Sequence, residues 1–331
     1  MPKSRWSIVA PFLPPRTGDT LPRMPHPPLD RRRFALGLAA LTATPAFART
    51  RKPQAAKPFH CVAMLGRLER SAGGRLGAYI LDTGSGLGFG WREDERFGMC
   101  STFKLSLAAL TLREVDAGRL PAGERLVWSL LDVLPNSPVT GAASGPRGMT
   151  VVALAQAAQQ TSDNLAANMV MKRLGGPPAL TAFWRSLGDT VSRLDRYETA
   201  VNNVPPGEVR DTTSPRAITA SLAQILAGNV LAPASRDMLL RWMAETTTGV
   251  RRIRAGVPQD WRAGDKTGTG MAPGMESKIN DIAILFPPGK APLVAAVFYE
   301  PADAPQDIRA QDEAVLAAVG RIAADREAWK R

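Results

Sequence analysis

Histidine is almost missing from this chain: among 331 residues only His26 and His60 occur. A zinc site or a Ser-His-Asp triad needs imidazole in the folded body, where only His60 lies, so any nucleophile must find a different base. Cysteine is as scarce, with Cys61 and Cys100 alone, which excludes a disulfide-dense scaffold and leaves at most one bridge. Aromatic residues make up 6% and are not interleaved with basic runs. The formal charge of +12 therefore does not indicate a nucleic-acid surface: the first 48 residues carry seven basic and two acidic side chains, and the remaining surplus is scattered. Long apolar runs are missing too. The uncharged stretch 34–48 has 15 residues and contains Pro45, too short to cross a bilayer as a helix.

What is present begins with that stretch. Asp30-Arg31-Arg32-Arg33-Phe34 opens it and Ala46-Phe47-Ala48 offers small residues for cleavage, so residues 1–48 read as a signal peptide resembling the twin-arginine type. Residues 1–29 are Pro-rich without periodicity, which leaves Met1 and Met24 both open as the start. The expectation is a periplasmic or secreted protein with no membrane anchor after processing.

The whole chain is 44% apolar in composition, enough to bury a real core in one large domain or two. Leu76-Gly77-Ala78-Tyr79-Ile80-Leu81, a Gly-rich turn and a second run to Trp91 predict a hairpin. Helical periodicity then holds from Ser101 to about Ala244, with Ser214-Pro215 as a cap and first helical position. Strands return at 281–286 and 293–299, flanking the hairpin turn Pro287-Pro288-Gly289, followed by a helical stripe over 312–324. Strands and helix at both chain ends imply an α/β domain from residues 49–92 and 245–331, with an inserted all-α domain at 93–244 and a site at their interface.

Ser101 and Lys104 lie one helical turn apart, so their side chains share a face. A serine hydroxyl needs something to take its proton, and a desolvated lysine amine can do so. Alone, Ser-x-x-Lys is common. In order along the chain it is joined by Ser162-Asp163-Asn164, Arg196-Tyr197-Glu198 and Lys266-Thr267-Gly268, and together these resemble the class A serine β-lactamases from about Arg75 to the C-terminus.

That resemblance implies the serine β-lactamase and penicillin-binding-protein fold, an antiparallel sheet flanked by helices with an inserted helical domain. It implies Ser101 as the nucleophile, Ser162 as a proton relay, and Glu198 as the base for the deacylating water, with the acylation base open between Lys104 and Glu198. Asn164, Asn202, Lys266, Thr267, Gly268 and Thr269 would bind substrate, Trp128 would gate the pocket mouth, and Arg252 would add a second anchor for the substrate carboxylate. Arg196 and Asp211 would clamp the loop that carries Glu198. Thr199 stands where the family often has proline, so the peptide before it is either cis without proline or locally different. Gly270 stands where many carbapenemases of the class have a cysteine bonded to the one preceding the nucleophile, so Cys100 should have no partner there, and no Cys61–Cys100 bridge is expected. No cofactor and no metal are implied. The expected activity is hydrolysis of penicillins and cephalosporins, with carbapenems open, by a monomer whose partners are small β-lactams. The alternatives are a penicillin-binding D,D-peptidase, against which the 196–211 loop argues, and a β-lactam sensor acylated once.

Overall fold

The computed structural model describes residues 59–271 and 275–330. The leader expected in residues 1–48 and the tip of the 271–279 loop lie outside them. Among the described residues no helix is long and apolar enough to cross a membrane.

Helix α1 (Phe59–Ala72) precedes the hairpin β1 (Arg75–Asp82) and β2 (Gly88–Trp91). Near the other end of the chain come β7 (Arg262–Gly270), β8 (Lys278–Phe286), β9 (Leu293–Glu300) and α9 (Ala310–Ala324). The five strands form one antiparallel sheet in the order β2-β1-β9-β8-β7, so the last strand lies beside the first. Strand alternation divides its side chains between two cores. Ala283 and Leu285 of β8 and Ala295 and Val297 of β9 pack with α1 and α9, whereas Ile282, Ile284, Val294, Ala296 and Phe298 face the helical region.

That region holds α2 (Phe103–Asp116), α3 (Pro138–Ala142), α4 (Val151–Gln160), α5 (Asn164–Arg173), α6 (Pro177–Ser186), α7 (Pro215–Ala227) and α8 (Pro233–Ala244). Ser214 caps α7 as its sequence predicts, accepting the Ala217 N–H. The region is not purely helical. Short strands β3 (Phe97–Gly98) and β6 (Thr212–Thr213) pair with each other, as do β4 (Arg125–Trp128) and β5 (Gly145–Thr150). Two- to six-residue strands carry too little alternation to register as a period, and α1 was likewise unmarked in the sequence. Both cysteines are free and buried, and burial pushes the Cys61 thiol up to about 11 and that of Cys100 to about 12.

Candidate active site

A single 3₁₀ turn, residues 100–102, leads into α2 and places Ser101 at its start, with Lys104 one turn later. Strand β7 runs against this turn. A Cβ on Gly268 would stand 2.7 Å from the Met99 carbonyl oxygen and 3.1 Å from the Thr102 nitrogen, so only glycine lets the strand approach. Gly270 is similarly placed: a Cβ there would meet Cys100 Sγ at 2.8 Å.

Lys104 has no exposed surface and collects acceptors from three parts of the fold. Its Nζ donates to Ser101 Oγ at 2.9 Å, the Ser162 carbonyl at 2.9 Å and Asn164 Oδ1 at 2.5 Å, and lies 2.9 Å from Glu198 Oε1. Burial pulls its pKa below the ordinary lysine value, and the Glu198 carboxylate opposes that fall. Ser101 Oγ donates to the same Glu198 oxygen at 3.0 Å. The serine thus has two groups in reach that can take its proton.

The Ser162-Asp163-Asn164 triplet breaks the helical run between α4 and α5. Ser162 adopts a left-handed backbone, φ 60°, which turns its carbonyl toward Lys104 while its Oγ accepts from Lys266 Nζ at 3.1 Å. Asp163 points the other way. Its carboxylate accepts the Ala166 N–H at the start of α5, the Thr140 hydroxyl, and the Val139 and Thr140 N–H groups of α3, tying the break to the neighbouring helix. Six non-glycine residues among those described have positive φ, and Cys100, Asn136, Ser162 and Asp211 among them flank the cavity or its loop. Such conformations cost about 1–3 kcal/mol each and persist where surrounding contacts enforce them.

Glu198 is carried by the loop between α6 and β6, and the Glu198–Thr199 peptide is cis, one of the two forms the sequence left open. Asn202 Nδ2 donates to Glu198 Oε2 at 2.8 Å. Asn168 of α5 holds the backbone on both sides, accepting the Glu198 N–H at 2.9 Å and donating to its carbonyl at 2.8 Å. The Arg196 and Asp211 side chains pair across the loop as expected, and Asp211 Oδ1 also accepts the N–H groups of Asp195 and Arg196.

Thr267, Thr269 and Arg252 line the other end of a 470 Å³ cavity, and fully buried Lys266 reaches its lining residue Ser162 at Oγ, 3.1 Å away. Arg252 is buried, donating to the Gly268 and Asn280 carbonyls and to Thr269 Oγ1 at 2.9 Å, with Glu313 Oε1 3.3 Å from its Nε. Lys266 is fully buried and its pKa lies well below the lysine range, first through desolvation and then through the Lys104 charge. This end gathers two cations, Lys266 and Arg252, with the Glu313 carboxylate beside Arg252.

Ser101, Ser162, Asn164, Asn202, Arg252, Thr267 and Thr269 line one cavity. Trp128 does not. It is 7% exposed, its indole N–H donates to the Thr140 carbonyl, and it faces a separate cavity, so the pocket-mouth assignment is corrected. Exposed Asn136 lines the catalytic cavity instead, in a Pro135-Asn136-Ser137-Pro138 turn whose left-handed residue suits asparagine. Asn136, Asn168 and Glu313 were missed in the sequence; only the turn chemistry around Asn136 offered a signal.

A sheet covered on both faces, with serine, lysine and carboxylate at one end of a cleft and cations at the other, defines a hydrolase of the serine–lysine class, and the comparisons with known proteins make it specific. The chain belongs to the beta-lactamase enzyme family, whose model matches residues 62–327, and it is a class A β-lactamase, a β-lactam hydrolase of antibiotic resistance. It is 46% identical over 259 residues to the carbapenem-hydrolysing β-lactamase KPC of Klebsiella oxytoca, covering 78% of this chain and 85% of that protein. Over 305 residues it is 41% identical to β-lactamase L2 of Stenotrophomonas maltophilia, covering 89% and 98%. Among solved structures, the class A β-lactamase of the last common ancestor of Gram-negative bacteria superposes with a TM-score of 0.74 at 48% identity, covering 79% and 97%. A β-lactamase from Xanthomonas campestris pv. campestris gives 0.75 at 43%, covering 81% and 97%.

Proposed function

We propose that this enzyme opens penicillins and cephalosporins through a Ser101 acyl-enzyme that a Glu198-activated water then releases. The observation that carries the reading is the position of Ser101 Oγ, 2.9 Å from Lys104 Nζ and 3.0 Å from Glu198 Oε1. The serine oxygen attacks the lactam carbonyl carbon, its proton passes to Lys104 or Glu198, and the C–N bond breaks as Ser162, between the two lysines, returns a proton to the leaving nitrogen. The Ser101 and Thr269 backbone N–H groups take the oxyanion. Lys266, Arg252, Thr267 and Thr269 hold the substrate carboxylate, while Asn164 and Asn202 bind around the acyl side chain. Water activated at Glu198 attacks the ester and frees Ser101 and the ring-opened acid.

The mature chain works as an exported monomer in this reading, divided into the α/β and helical domains at 49–92 with 245–331 and at 93–244, and its twin-arginine leader delivers it folded. The KPC relative is named for carbapenem hydrolysis, and carbapenem turnover belongs in the same substrate panel.

Continuous turnover of a chromogenic cephalosporin is expected, where a D,D-peptidase or a sensor would give one stoichiometric burst. Glu198→Ala should accumulate the penicilloyl adduct, seen by intact-mass spectrometry, with deacylation slowed about 10²–10⁴-fold. Rapid return of that variant to unmodified mass would remove Glu198 from the role.

A further inference from the structure

A second cavity, 780 Å³ against 470 Å³ for the catalytic one, opens between the β4–β5 ribbon and α5. Its walls are apolar: Leu126, Trp128, Leu165, Met169 and Tyr197. Its rim is cationic, with Arg125, Lys172 and Arg173 against the single carboxylate of Asp132. Two of those cations are engaged, Arg125 by the Arg147 and Gly148 carbonyls and Arg173 by Glu124, while exposed Lys172 has neither a hydrogen bond nor an ion pair among the described residues. Size, apolar walls and an exposed ammonium at the edge, held by no hydrogen bond among the described residues and felt only through space by the Asp132 carboxylate, match a small organic ligand with one anionic group.

Two lining residues connect this cavity to the catalytic loop. Tyr197 immediately precedes Glu198, and Asn168 holds the Glu198 N–H and carbonyl at 2.9 and 2.8 Å. Displacing either moves the carboxylate that stands 3.0 Å from Ser101 Oγ, and a shift of about 1 Å at a reacting group costs on the order of 100-fold in rate.

We infer that this cavity is a second ligand site, for an amphipathic organic carboxylate or sulfonate with an apolar body, and that its occupant modulates Glu198 through Tyr197 and Asn168. The modulation rests on the proposed role of Glu198; the binding does not.

The probe is 8-anilinonaphthalene-1-sulfonate, with N-phenyl-1-naphthylamine as the same apolar body lacking the anion, titrated against the mature enzyme. One sulfonate site is expected, with affinity falling about tenfold in Lys172→Glu, the order expected for reversing one charge near a surface, while the neutral probe changes less than about twofold. Saturating sulfonate should lower kcat for a penicillin without raising KM, which falls alongside kcat where deacylation becomes limiting. Equal sulfonate affinity in wild type and Lys172→Glu overturns the site. Purely competitive inhibition puts the probe in the Ser101 cavity and also overturns it, as does probe-dependent dimerisation in sedimentation. Lys172-dependent binding with unchanged kcat overturns the link to Glu198. A Glu198→Ala enzyme that still deacylates fast removes the premise of that link while leaving the two affinity measurements to decide the site.

Discussion

Two lysines are buried to the same degree within one site and stand in opposite electrical surroundings. Lys104 has the Glu198 carboxylate at 2.9 Å and three further oxygens at 2.5–2.9 Å. Lys266 has the Thr267 carbonyl at 2.8 Å and Ser162 Oγ at 3.1 Å, with Lys104 and Arg252 as cationic neighbours. Desolvation is the largest depressing influence on both, so burial does not explain what separates them; the neighbouring charges do, Glu198 opposing the fall at Lys104 and Lys104 and Arg252 adding to it at Lys266. Lys104 already has its counter-charge. In the proposed mechanism Lys266 receives its counter-charge from the substrate carboxylate, whereas Arg252 already has Glu313 Oε1 at 3.3 Å, and Ser162 Oγ touches both lysines, at 3.4 and 3.1 Å.

The strongest break of this comparison is Lys104→Met. It should lower the acylation rate about 10²–10⁴-fold, measured by stopped flow with a penicillin, because it removes a proton-handling group and strands Glu198. Lys266→Met should behave differently. Loss of one charge-assisted contact is worth about 1.5–3 kcal/mol, so KM should rise by roughly 10–100-fold for a β-lactam acid, and far less for its methyl ester. Equal losses on acid and ester would dissolve the distinction between the two ends.

The comparison also depends on Glu198 staying beside Lys104, and the proposed clamp on that loop is the pair of Arg196 with buried Asp211. Asp211→Asn leaves Arg196 without its carboxylate and should destabilise the fold by up to about 3 kcal/mol, seen as a lower Tm, with the change in substrate preference appearing before unfolding. An unaltered ratio of rates on small and bulky cephalosporins would show that the clamp does not set the loop.

The smallest effect is a fraction of a proton. Free Lys266 has a depressed pKa, and a docked carboxylate raises it, so binding takes up a proton at any pH between the depressed and raised values and none at lower pH, where the amine is already charged. Calorimetry of a β-lactam acid with Ser101→Ala, in buffers of different ionisation enthalpy, should show uptake that grows with pH and disappears in Lys266→Met. Uptake that survives Lys266→Met would move the proton to another group.

Legibility in the sequence followed the length and periodicity of each signal. Strands β8 and β9 carry apolar runs on either side of a Pro-Pro-Gly turn, and Ser214-Pro215 carries its own cap chemistry, so these were readable. Ser101, Lys104, Glu198 and Lys266 were readable because their short motifs occur together in order. Asn168 and Glu313 sit inside ordinary helical patterns, and what distinguishes them is a partner 30 or 61 residues away. Trp128 shows the reverse error: an aromatic near the right place in sequence, turned by the β4–β5 ribbon to bond the Thr140 carbonyl instead of facing Ser101.

The sheet order has a consequence in time. Strand β9 completes β1, and the pair Arg75 and Glu300 that faces across them is 225 residues apart. At about 5–20 residues per second, a ribosome needs roughly 10–45 s between making one strand and its partner. Through that interval the apolar run Leu76-Gly77-Ala78-Tyr79-Ile80 has only the short β2 beside it. Loop closure over so long a span makes sheet formation a late and slow event, and the open edge of β1 is the segment of the nascent chain most exposed to pairing with the wrong strand.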